Sequence, residues 1–195
     1  MKLPKRKNIR LKDYDYSQNG VYFITICTQD RRNLFGSIDV DVGQGLCSCR
    51  LTDIGNIVEN EIVNLSKRFQ EININKYIIM PNHIHMIVVL AREGRQQNGR
   101  QEQSPCPTNP NPNPNTNTNT NTNTNPAAAI GDIICAFKSI TTKQANKYDG
   151  IKGRKIWQFR YHDHIIRNED DYLRIWQYID ENPTKWAKDR YYYNS

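Results

Sequence analysis

The apolar residues of this chain change period several times, and each change marks an element. Val21-Tyr-Phe-Ile-Thr-Ile-Cys27 is a nearly unbroken β-prone run, the pattern of a central strand buried on both faces. Residues 36–51 hold two short runs around Gly43-Gln-Gly45 and read as a hairpin. The period then becomes helical. Ile54, Ile57, Val58, Ile62 and Leu65 follow the capping pair Thr52-Asp53 and predict a helix to about Lys67. Ile72 to Met80 reads as a strand, Pro81-Asn82 as a turn, and His83 to Ala91 as the neighbouring strand. Helical spacing returns near Ala129 with Ile130, Ile133, Ile134, Phe137 and Ile140, up to about Lys147. Trp157-Gln-Phe-Arg-Tyr161 is expected as the final strand. Asn168 then caps a last helix with Glu169, Asp170 and Asp171 in its first turn, and Asn182-Pro183 ends it.

The order is strand, hairpin, helix, strand, strand, helix, strand, helix. It predicts an α+β fold, a ferredoxin-like or RRM-like antiparallel sheet with helices packed on one face. Periodicity supports that class but does not fix the strand order. One domain is expected over residues 1–195, with a basic arm at 1–13 and an insert at 93–128. In the insert, Asn-Pro repeats pass into Asn-Thr repeats with almost no apolar side chains. Such a segment cannot offset its ordering entropy, so it is expected to be disordered, an expanded loop within the domain. Closure entropy grows only logarithmically with loop length, so the fold can carry it.

Composition sharpens the choice of partner. The 195-residue chain carries a net charge of +7. Lys2, Lys5, Arg6, Lys7, Arg10 and Lys12 crowd its first twelve residues, and Lys185, Lys188 and Arg190 follow the last helix. Clustered cations favour a polyanion through counterion release; charge alone would equally suit a solvated tail. Lys138, Lys143 and Lys147 lie off the apolar stripe of their helix, in reach of phosphates. No apolar run has membrane-spanning length. The start lacks the apolar stretch of a signal peptide, so the expected location is cytoplasmic and no membrane partner is expected. Five cysteines, an odd number without repeating spacing, argue against a disulfide scaffold. Cys47 and Cys49 read as ordinary strand residues, since no second pair accompanies them.

Two places carry candidate chemistry. His83 and His85 sit at i and i+2 of a strand and present two imidazoles on one face. The last helix places Arg174, Tyr178 and Asn182 along the edge of its apolar side, Tyr178 and Asn182 one turn apart. Two histidines, an amide and a tyrosine suggest metal-assisted attack of a phenolate on a phosphodiester. Spacing alone also allows a hydrogen-bonded packing pair, and a boundary tyrosine with its hydroxyl in water.

The ordered set Met80-Pro-Asn-His83-Ile-His85, Ala136-Phe-Lys-Ser139, Trp157-Gln158, His164-Ile-Ile-Arg167-Asn and Tyr178-Ile-x-x-Asn182-Pro183 closely resembles the single-tyrosine HUH transposases. The nearest branch is the REP-associated tyrosine transposases, relatives of insertion-sequence transposases. The resemblance covers roughly residues 15–92 and 129–190, and the insert has no counterpart in the family pattern. It implies His83, His85 and Asn182 as ligands of a divalent metal, Mg²⁺ or Mn²⁺, and Tyr178 as nucleophile. It implies cleavage and rejoining of single-stranded DNA beside a palindromic hairpin through a 5′-phosphotyrosine, by a monomer or homodimer. Arg174, Lys138, Lys5, Arg6, Lys7, Arg10 and His164 are the expected DNA contacts, with His164 either structural or DNA-facing. The other reading is a non-catalytic nucleic-acid-binding module on the same fold, in which the histidines merely pack.

Overall fold

The computed structural model describes residues 15–41, 46–91 and 129–192. The basic arm with Lys5, Arg6, Lys7 and Arg10, and the 93–128 insert, lie outside the described residues. The elements run β1 (Gly20–Cys27), β2 (Gly36–Asp41), β3 (Leu46–Leu51), α1 (Asp53–Arg68), β4 (Ile72–Met80), β5 (His83–Leu90), α2 (Ile130–Tyr148), β6 (His162–Ile166) and α3 (Glu169–Glu181). Four strands form one antiparallel sheet in the order β4-β5-β1-β6, and β2-β3 is the expected hairpin. With the hairpin set aside, β-α-β-β-α-β connectivity with this strand order is the ferredoxin-like arrangement. The α+β class read from the periodicities holds, and the structure supplies the strand order they left open. No described helix is long and apolar enough to cross a membrane.

Alternation along β1 divides the molecule into two sides. Tyr22, Ile24 and Ile26 join the main core with Val58, Ile62 and Leu65 of α1 and Ile133, Ile134 and Phe137 of α2. Phe23 points the other way, into a smaller cluster with Ile87, Ile166 and the α3 residues Ile175 and Ile179. Thus α1 and α2 share one face, as expected, while α3 covers the opposite one. That division decides which side chains can meet, because His83, His85 and α3 end up on the same side.

Local signals account for the helices. Thr52 caps α1, its hydroxyl accepting the Gly55 N–H at 3.1 Å. Asn168 caps α3, its side-chain oxygen accepting the Asp171 N–H at 2.8 Å. One buried charge departs from the apolar stripe of α1: Glu61, 2% exposed, is held by Arg68 at 2.9 Å.

The final strand is shifted from its expected place. It is His162–Ile166, not Trp157–Tyr161. Trp157 forms only an isolated bridge with Thr28. Its ring fills the main core beside Phe35 and Phe137, and its indole N–H donates to Thr141 Oγ1 at 2.8 Å. Lys138 then takes the carbonyls of Gln158 and Phe159 at 2.6 and 2.9 Å, removing both from any strand ladder. The alternating aromatics imitated a strand, but tertiary contacts make Trp157 a core plug and leave the Phe159 ring exposed.

The turn before the histidines is tied to the start of α1. Phe35 N–H donates to Pro81 O at 3.0 Å, and Phe35 O accepts from Thr52 N at 2.9 Å. A Cβ on Gly55 would lie 2.1 Å from that same Phe35 oxygen. Gly55→Ala should therefore destabilise the fold by about 1–3 kcal/mol, because forced overpacking outweighs alanine's better helix propensity of about 1 kcal/mol. Urea unfolding would read the loss; a gain in stability would contradict this account.

Candidate metal centre

The strand register builds the centre. His85 is paired with Thr25 and His83 with Cys27 across β5 and β1, and Thr25 is paired with His162 on β6. Directly paired residues share a face, so His83, His85 and His162 all point to the α3 side. His83 and His85 are completely buried. Their Nε2 atoms face one another at 3.0 Å.

The outer nitrogens are fixed by neighbours. Asn82, also fully buried, uses its Nδ2 to donate to Tyr191 O at 2.8 Å and Arg31 O at 3.2 Å. Both contacts demand an amide N–H, so the other side of the amide is its oxygen. That oxygen lies 2.9 Å from His83 Nδ1, which must then carry the proton. The lone pair of His83 is left on Nε2. His85 Nδ1 meets Thr25 Oγ1 at 2.8 Å, so its Nε2 also points inward. Such outer hydrogen bonds orient histidines that bind metals.

Two bare lone pairs at 3.0 Å repel, so a proton or a cation belongs between them. Two nitrogens about 2.1 Å from one ion subtend about 3.0 Å at a right angle and about 3.4 Å at the tetrahedral angle. The observed separation fits adjacent positions of a six-coordinate ion. Asn182, one turn after Tyr178 on α3, is also buried, and its Oδ1 has no hydrogen-bond partner. Asp189 contributes a carboxylate oxygen, and the three ligand atoms of His83, His85 and Asp189 lie within 4.8 Å of one another. The residues present therefore fit a hard divalent ion.

Tyr178 projects from α3 over this pair. Its hydroxyl lies 3.4 Å from His85 Nε2, and its ring meets Phe23 edge-on at 6.0 Å. Ile175 and Ile179 anchor the helix on either side of it. Burial raises the Tyr178 pKa above its ordinary value, and the Asp189 charge adds to the rise; a hydrogen bond from Asn182 and the charge of Arg190 oppose it. The hydroxyl is thus protonated at neutral pH.

Burial is also the chief reason that His83 falls to about 3, with help from Arg190 and Arg31. Burial again dominates at His85, which is pushed well below 6.5, His83 and Arg190 adding to the effect. Both rings are neutral at physiological pH, the state a metal ligand requires.

The other sequence candidates are placed differently. Arg174 is 73% exposed and paired with Asp171. His164 also binds Asp171, at 2.6 Å, and so joins β6 to the first turn of α3. Lys138 is engaged by the two carbonyls described above. Sequence reasoning missed Asp189, Tyr191 and Trp186. The ring of Tyr191 lies 4.6 Å from that of His83, and that of Trp186 5.9 Å. They come from a short segment beyond Pro183 without repeating apolar spacing, so no pattern announced them. Thr25 and Asn82 were visible only as a strand residue and a turn residue.

No family model matches the chain. An uncharacterized protein of Haemophilus influenzae is 35% identical over 187 residues, spanning 96% of this chain and 93% of the relative. Among solved structures, a REP-associated tyrosine transposase bound to a REP hairpin superposes with a TM-score of 0.52 at 20% identity. The match covers 93% of this chain and 76% of that one. At that identity the likeness bears on the fold alone.

The buried neutral rings set a pH dependence. Below the ordinary imidazole value of 6.5, the unfolded chain takes up protons that the folded chain refuses. Stability should be full above about 6.5 and fall as the pH drops toward 3. In EDTA, the urea midpoint should decline across that window, and His83→Gln with His85→Gln should flatten the decline. A wild-type midpoint that stays level there would contradict the assignment of neutral, buried rings.

Proposed function

Since the chain belongs to one family with the Haemophilus influenzae protein, we propose for it a reading drawn from its own site: a transposase-like, metal-dependent enzyme that cuts and rejoins single-stranded DNA. The observation that carries the reading is a tyrosine hydroxyl 3.4 Å from an imidazole nitrogen that itself faces a second at 3.0 Å. The fold shared with a transposase bound to a REP hairpin supports the choice of a hairpin-bearing single strand as substrate.

In this reading His83 Nε2, His85 Nε2, Asn182 Oδ1 and one oxygen of Asp189 hold Mg²⁺ or Mn²⁺. Oxygen-rich, six-coordinate sites suit both ions, and the imidazoles favour Mn²⁺. Bound there, the ion would polarise a non-bridging phosphate oxygen and favour the ionised tyrosine. Tyr178 forms the new Oη–P bond while the P–O3′ bond breaks. The tyrosine's proton is lost, and the departing 3′ oxygen gains one, leaving a 5′-phosphotyrosine and a free 3′-OH. Arg190, whose charge already lowers the Tyr178 pKa, acts in the same direction as the ion. Attack by the 3′-OH of another strand on the phosphotyrosine reverses the exchange without ATP. All these groups lie in one chain, so a monomer suffices.

A binding module without chemistry would explain the buried histidines as a hydrogen-bonded pair. It leaves the orphaned Asn182 oxygen without a purpose, since an unsatisfied buried acceptor costs about 1–3 kcal/mol.

The test is covalent capture of labelled hairpin oligonucleotides drawn from repeats beside the gene. A protein–DNA adduct should form with Mn²⁺, vanish in EDTA, and vanish in Tyr178→Phe and His83→Ala. Cleavage that survives Tyr178→Phe, or binding that never gives an adduct with any divalent ion, would reject the reading. Separately, Asp189→Ala and Asn182→Ala should each weaken Mn²⁺ binding at least tenfold by calorimetry; equal affinity in either variant would remove that residue from the ligand set.

A further inference from the structure

Beside the metal centre lies a cavity of about 340 Å³. Arg31, Arg160 and Arg190 line it, together with Gln158, Tyr161 and His162. Its floor is Thr25 and Cys27, the direct cross-strand partners of His85 and His83. It is therefore displaced from the histidines by about one strand spacing, close to 5 Å. No carboxylate lines it among the described residues. Asp163 follows His162 on the opposite face of β6, and Asp189 is engaged by the Tyr191 N–H at 2.6 Å.

Three guanidinium groups around one cavity outnumber the one carboxylate whose charge reaches its lining, Asp189, and leave a positive field, which selects an anion. Two of them are held in place. Arg31 donates to Arg190 O at 2.8 Å and lies over the Tyr191 ring, 5.2 Å from its centre. Arg190 lies over the same ring at 4.6 Å. Each keeps further N–H donors for a bidentate partner. His162 Nδ1 is buried and has no hydrogen-bond partner, so the lining also holds an unused polar atom. The volume sits near the lower end of the usual range for small-molecule sites, about 300–1,000 Å³, enough for one nucleotide and far too small for a duplex.

We infer that this pocket binds the nucleotide next to the scissile phosphate, its guanidinium groups gripping the neighbouring phosphate of the same single strand. The inference rests on the proposed reading of the metal centre for the identity of the strand. The pocket gives the site a register. With one phosphate held by arginines and the adjacent one at the histidines, the strand cannot slide past Tyr178. Tyr161, at the pocket's rim, offers a face for the base.

The experiment measures binding without chemistry, using the full-length chain in EDTA and a labelled single-stranded oligodeoxynucleotide pool. Arg160 is exposed, so Arg160→Ala should fold normally. It should weaken binding about tenfold and lower the slope of log affinity against log salt by about one. Lys67→Ala, which removes an equal charge from the last turn of α1, should leave both unchanged. Single methylphosphonates placed along one bound sequence should reveal one position whose neutralisation costs the wild type what Arg160→Ala costs, with no added loss when the two are combined. Equal behaviour of Arg160→Ala and Lys67→Ala, additive losses at every position, or no binding by the unaltered chain would overturn the inference. Because this readout needs no adduct, it separates from the covalent-capture test: an adduct with additive losses rejects the pocket alone, and a non-additive position without any adduct rejects the chemistry alone.

Discussion

The side-chain amide of Asn82 has three bonds, and most of the site follows from them. Two go to backbone carbonyls on segments far apart in sequence, at Arg31 and Tyr191. The third fixes the proton of His83 on Nδ1 and turns its lone pair inward. One buried group thus sets a tautomer, ties the turn between β4 and β5 to the backbone at Arg31, and holds Tyr191, near the end of the described residues, beside the histidines. In an interior of low dielectric, a fully satisfied network of this kind is rigid, and a partly satisfied one is costly. The burial that makes these bonds strong also keeps both imidazoles neutral.

The segment after α3 organises charge around that network. Asp189 and Arg190 are adjacent in the chain but act in opposite senses. The carboxylate faces the imidazoles and can share a cation with them, whereas the guanidinium faces the neighbouring cavity and stacks on Tyr191. Arg190 depresses both histidines and opposes the rise at Tyr178. A cation-binding spot and an anion-binding spot are thereby set side by side, matched to a ligand whose charge repeats along its length.

Much of this could be read from the sequence, for identifiable reasons. A period of two put His83 and His85 on one face, and a period of 3.6 put Tyr178 and Asn182 on one edge; both rules depend only on backbone geometry. Among the described residues, sequence patterns gave the three α-helices and all but one strand. They failed at Trp157–Tyr161, where Trp157 plugs the core, Phe159 is exposed, and the alternation marks no ladder. They were silent on Asp189 and Tyr191, which reach the site through a segment with no period. They also could not foresee that Lys138, off its helix stripe as a phosphate contact would be, is taken up by two carbonyls. The face on which α3 packs was equally beyond them, because the cluster that Ile175 and Ile179 join draws on all four strands of the sheet.

The placement of the low-complexity tract has a consequence for how this gene can change. His83 opens β5, and Leu90 closes it just before the tract begins. Seven steps at about 3.3 Å put the tract's first anchor roughly 23 Å from the metal-binding end of the same strand. For a flexible loop, each doubling of length costs about 0.6 kcal/mol of closure entropy. A change in the copy number of the Asn-Thr unit thus enters the chain beyond the far end of a strand whose near end is held by Asn82 and Thr25.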